Sequence, residues 1–160
     1  MNPLQQYWIP WTISQVVSLI ILFLAIKKPV WTRYIFAVLF IAAGLFNWFT
    51  ALSTPEAYLM YAGTSIGIYK QFITGIFSEH IAMFIAPIAT GQILIGLGML
   101  TGKRWLELGC LGIVIFLMGI APLGVGSAFP FSITVSIAVY FVYRHYKPRR
   151  SGSRIENQGL

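Results

Sequence analysis

Charge is the scarcest property of this chain. Four acidic and eleven basic side chains among 160 residues fall far below the roughly one quarter typical of soluble domains. A hydrophobic fraction of 58% cannot be hidden in the core that a chain of this length builds, so the sequence requires lipid as its solvent. Cysteine is nearly absent too. Cys110 stands alone in an apolar stretch, which excludes an intramolecular disulfide or a CxxC dithiol and leaves a small hydrophobe for packing. With only His80 and His145, at opposite faces of the membrane in the topology below, no cluster has metal-ligand spacing, and a haem held by two histidines is excluded. The sequence lacks a Ser/His/Asp arrangement, paired carboxylates and a glycine-rich phosphate loop after a strand, so a hydrolase or nucleotide enzyme has no residues to stand on. Residues Met1 to Tyr7 contain no lysine or arginine. The charged start of a secretory signal is missing, and the first apolar run is expected to be retained.

Long apolar runs fill what remains, continuous where a membrane β-barrel would alternate. About 20 helical residues cross a ~30 Å hydrocarbon layer. The expected spans are 8–26, 34–52, 81–100, 105–121 and 127–143, giving an all-α bundle of five transmembrane helices in a single domain over residues 1–147. Lys27-Lys28-Pro29 stops the first span, Thr101-Gly102-Lys103-Arg104 turns the third into the fourth, and the prolines and glycines between Pro122 and Pro130 make a tight uncharged turn. Residues 53–80 are too polar for a lipid-facing span. Ser53 to Glu56 reads as a capping box starting a short helix that Gly63 ends. Ile66, Tyr69, Phe72, Ile73, Ile76 and Phe77 then share one helical face, which predicts an amphipathic helix lying in the interface or folded over the bundle mouth. Ser78-Glu79 is expected to start the next helix. Residues 148–160 form a basic, polar tail expected to be disordered.

The lysines and arginines test this count separately from hydropathy. Lys27, Lys28 and Arg33, then Lys103 and Arg104, then the cluster from Arg144 onward fall on one side of five crossings, and only Lys70 falls on the other. That asymmetry predicts an N-terminus outside and a C-terminus in the cytoplasm. The net charge of +7 is then a matter of topology and anionic lipid headgroups, with no case for nucleic acid.

Polar groups at membrane depth are the candidates for function. Gln92 lies in the middle of the third span among Gly91, Gly96 and Gly98; it serves either as interhelical glue, the glycines letting backbones approach, or as a ligand contact. Asn47, near the outer end of the second span, either meets water or lines an outward pocket beside Tyr58, Tyr61 and Tyr69. Gln15 and Ser18 are weaker signals of the same kind. Glu107, preceded by Lys103 and Arg104, is expected to form a structural ion pair near the cytoplasmic surface.

From about Tyr34 to Tyr146 the chain resembles the DoxX-like family of small prokaryotic membrane proteins. The resemblance rests on Ala42-Ala43-Gly44-Leu45-Phe46-Asn47, on Gly91-Gln92-Ile93-Leu94-Ile95-Gly96-Leu97-Gly98-Met99-Leu100, and on the Thr101-Gly102-Lys103-Arg104 step. It implies a four-helix core in the inner membrane, to which 8–26 is an N-terminal addition, and a quinone-linked sulfur or redox partner. Where family members often carry a glutamate, this chain has Gln92, so that ionisable centre is missing. Two functions follow: a non-catalytic subunit or assembly partner of other membrane or redox proteins, self-association included, or a binder of a small apolar molecule such as a quinone or lipid near Gln92 or Asn47. A small transporter or channel ranks third, for want of charged groups at the membrane centre.

Overall fold

The computed structural model describes residues 3–147, and the expected disordered tail, residues 148–160, lies outside them. All regular structure among the described residues is helical. A single turn, α1 (Pro3–Gln6), precedes α2 (Trp8–Lys27) and α3 (Pro29–Ser53). Two prolines set the limits of α3. A residue before proline is pushed out of the helical region, and both Lys28 (φ −138°) and Thr54 (φ −145°) sit there. Pro29 tolerates the first helical position because its missing N–H would be unpaired anyway. The second span therefore begins at Pro29, five residues before the expected Tyr34.

The segment that follows folds over one end of the bundle. A 3₁₀ helix (Pro55–Gly63) leads to α4 (Gly67–Phe72), which passes into a π-helical turn (Ile73–Phe77) broken at Gly75. Gly63 ends the first piece as expected. The capping box does not form: Ser53 closes α3 with its hydroxyl on the Phe49 carbonyl, and Thr54 holds the cap position without a side-chain hydrogen bond. The π turn also rotates the amphipathic face, so that Ile73 and Phe77 are buried while Ile66 and Ile76 stay exposed.

α5 (Ile81–Leu100) and α6 (Lys103–Ile120) form a hairpin. α5 starts after His80, not at Ser78-Glu79, because the Ser78 hydroxyl turns back onto the Gly75 carbonyl. A 3₁₀ turn (Ala121–Ser127), with Gly124 at φ +62° and Ala128 at φ +55°, then reverses the chain into α7 (Phe131–Tyr146). Positive φ at two positions ends helical continuity there, which moves the last helix about four residues past the expected 127–143. Among the described residues four helices are long and apolar enough to cross a membrane: α2, α3, α5 and the stretch Lys103–Ser127. α7 has 16 residues.

The helices close a ring in the order α3, α5, α6, α7, α2, with α3 and α7 also touching across it. The main core lies toward the end that carries Lys27, Arg33 and Lys103, the basic end. Phe36, Met99, Leu106, Ile113, Val139 and Val142 are fully buried there. A second cluster of Ala51, Ile73, Phe77, Ile81 and Ile85 sits under the 55–77 segment at the opposite, capped end. α7 runs from one end to the other. Its start is held at the capped end by Trp11 Nε1 and Gln15 Nε2, which donate to the Phe129 and Ala128 carbonyls at 2.8 and 2.7 Å. At its finish Tyr146 lies 5.2 Å from the Arg33 guanidinium.

Candidate functional site

Small residues bring α3 and α5 together. A Cβ on Gly44 would stand 2.6 Å from the Ala89 carbonyl, and one on Gly96 would stand 2.8 Å from that of Ala37. Backbones this close leave no room for a side chain, so the pair packs through glycine as membrane helices commonly do. Gly98 plays the same part against Trp105 across the α5–α6 turn, whereas Gly91 has nothing within 4 Å and contributes to no such contact.

Beside the Gly44 crossing the two intramembrane amides meet. Asn47 Nδ2 donates to Gln92 Oε1 at 2.7 Å, and the Tyr58 hydroxyl donates to Asn47 Oδ1 at 2.8 Å, with the Asn47 backbone carbonyl 3.3 Å away. Gln92 is 3% exposed, so its carbonyl depends on Asn47 for a partner. Burial pushes the Tyr58 phenol above its ordinary 10.0. It therefore remains a donor at neutral pH, and the bond to Asn47 weakens only as pH rises through that raised value.

The Tyr58–Asn47 end of this relay opens on a cavity of about 740 Å³ between α3, α5 and α6. Tyr61 and Tyr69 line it with Phe72, Ile73, Phe77, Ile85, Ile88, Phe116 and Ile120. Asn47, Tyr58, Tyr61 and Tyr69, which sequence patterning groups as an outward pocket, thus share one chamber. Gln92 does not line it and stands one layer behind, through Asn47. The chamber's far wall is tied down by Tyr69, whose hydroxyl donates to the Gly119 carbonyl at 2.8 Å, and by the Ile66 N–H on the Pro122 carbonyl. Gly124 and Gly126 let the 121–127 turn approach Thr64 and Tyr61, where a Cβ would collide at 2.5 to 2.7 Å. Within α5, between the chamber-lining Ile85 and Ile88, Pro87 leaves the Met83 carbonyl without its in-helix donor.

No family model, curated protein or solved structure matches the chain. The chemistry must therefore be read from the chamber itself. It offers apolar walls, one polar end and no nucleophile paired with a base. No cluster of three or more histidine, cysteine or acidic side chains able to hold a metal ion occurs among the described residues.

The expected ion pair of Glu107 with Lys103 and Arg104 does not form: among the described residues the Glu107 side chain has no hydrogen-bond or ion-pair partner. Lysine four residues before glutamate is the weaker order on a helix, and cations in a first turn oppose the dipole. Gln15 holds the 121–130 turn, and Ser18 bonds only the Gln15 carbonyl. Sequence reasoning missed the part played by Arg33. Its Nε donates to the Met99 carbonyl and its Nη2 to the Thr101 carbonyl at 2.6 Å, which satisfies the otherwise unpaired end of α5. Backbone acceptors leave no pattern in sequence, so nothing distinguished Arg33 from its basic neighbours.

Proposed function

We propose that this chain is a five-crossing inner-membrane protein, N-terminus outside and C-terminus in the cytoplasm, that holds a small amphiphile in its capped half. The ligand class is a largely apolar molecule with one hydrogen-bonding head, a quinone or a lipid. The observation that carries this reading is the joining of a roughly 740 Å³ apolar chamber to one polar end, made by Asn47 and Tyr58 with Gln92 behind them. Small-molecule sites are typically of about 300–1,000 Å³, apolar, with a few placed polar groups. The rim supports loading from the bilayer: Ile68, Phe72 and Ile88 line the chamber and are all more than 40% exposed. α7 supplies the fifth crossing. Its 16 residues extend about 24 Å, and the five-helix ring is complete only with it.

The DoxX-like resemblance adds that the chain acts as a non-catalytic subunit or assembly partner of a quinone-linked redox system, and the chamber gives such a subunit a place for its quinone. The test is to purify the full chain in mild detergent, extract it with organic solvent and identify bound molecules by mass. We expect about one amphiphile per chain, with occupancy falling several-fold in Asn47→Leu and in Gly119→Trp. The Gly119 side-chain position has no atom within 4 Å, so the tryptophan fills the chamber without a clash at its root. Absence of a bound molecule, or unchanged occupancy in both variants, would overturn the reading.

A further inference from the structure

A second concave surface lies at the basic end, away from the chamber. α6 and α7 leave between them a groove of about 620 Å³. Leu108, Leu111, Val114 and Val139 line its length, while Arg104, Glu107 and Tyr143 stand at its mouth. The Lys147 ammonium sits 5.6 Å from the centre of the Tyr143 ring, which brings a second cation to that mouth.

We propose that this groove binds a phospholipid with an anionic headgroup, phosphate at Arg104 and Lys147 and one acyl chain along Leu108, Leu111 and Val114. Charge complementarity selects the occupant. Arg104 and Lys147 outnumber Glu107, and among the described residues the Arg104 side chain has no hydrogen-bond or ion-pair partner, so its guanidinium is available to a phosphate in the bidentate manner it favours. Leu108 and Leu111 are more than half exposed, a wall that a hydrocarbon chain covers and water does not. A second protein chain would have to bury these like charges against their own copies, which a two-fold contact makes costly. Glu107 opposes an anion, and that opposition makes the proposal sharper: removing it must strengthen binding.

The experiment is native mass spectrometry of the full chain with added phosphatidylglycerol or with phosphatidylcholine of identical acyl chains. A basic residue near the surface contributes about fivefold in affinity for an anionic headgroup. Phosphatidylglycerol should be retained over phosphatidylcholine, and Arg104→Gln should weaken that retention about fivefold. Arg104→Gln combined with Lys147→Gln should weaken it further, Glu107→Gln should tighten it, and Lys70→Gln, at the other end, should leave it unchanged. A gain in Glu107→Gln cannot arise from misfolding, so the two directions keep the outcome clear. Equal retention of both lipids, equal retention by Arg104→Gln, or cross-linking of Leu111→Cys between two chains would each overturn the proposal.

Discussion

At the scale of single residues, the chain discriminates among glycines that look alike in sequence. Gly44 and Gly96 meet backbone carbonyls across the α3–α5 contact, whereas Gly91 faces open space. Overpacking of a tight contact costs about 1–3 kcal/mol. Gly44→Leu and Gly96→Val should each lower stability by that amount in unfolding by SDS in mixed micelles, and Gly91→Ala should leave it unchanged. The Asn47–Gln92 bond is a second case. Interhelical hydrogen bonds in membranes average about 0.6 kcal/mol and reach ~1.7, so a double-mutant cycle of Asn47→Leu and Gln92→Leu should give a coupling in that interval. A coupling of zero would mean that the two amides do not meet. Both amides were legible in sequence because a carboxamide at membrane depth has few harmless explanations. That they bond to each other was not, since hydropathy carries no information about which faces of two helices meet. Ser132 shows the same blindness from the other side. It is fully buried with its hydroxyl unpartnered, because the Ala128 carbonyl one turn earlier is already taken by Gln15 and by the Phe131 N–H. Removing an unsatisfied buried hydroxyl is neutral or favourable, so Ser132→Ala should match or exceed the parent in the same SDS titration.

At the scale of elements, helix boundaries followed local chemistry, and the surprises came from tertiary contacts. Proline and glycine punctuation placed α5 within its expected limits and α6 within two residues of them. It failed where a neighbouring element decided the outcome, as at residues 121–130. There Thr64 and Tyr61 pack against the turn and Trp11 and Gln15 bond to its carbonyls. Arg33 is the other such element-level device, joining α3 to the last turn of α5 and stacking near Tyr146 of α7. Hydrogen bonds to charged groups contribute about 1.5–3 kcal/mol. Arg33→Leu should cost that much in the same unfolding measurement. Arg33→Lys should recover only part of it, because a lysine keeps the charge and loses the planar fork that reaches two carbonyls at once. If lysine restored full stability, the latch would be acting through charge alone.

At the scale of the whole molecule, the question is whether α7 crosses. Hydropathy made the long apolar helices legible, and the distribution of lysine and arginine adds an expected alternation, but a 16-residue helix is shorter than the roughly 20 residues that a crossing needs. Packing supplies what length does not. α7 begins where α2 begins, at the capped end, and finishes beside Arg33 at the basic end. Between them Val135, Ala138, Val139 and Val142 are buried against the same core as Met99 and Leu106. A helix fixed end to end against its neighbours in this way is what the proposed fifth crossing requires. Labelling of single cysteines with a membrane-impermeant maleimide, in a Cys110→Ala background, separates the alternatives. Five crossings place Lys147→Cys on the same side as Gly102→Cys, and Gln5→Cys on the side of Ala57→Cys. Four crossings would move Lys147→Cys alone to the side of Ala57→Cys. The basic residues of α7 would then lie opposite Lys27, Lys28 and Lys103, against the rule that positive charge collects on one face.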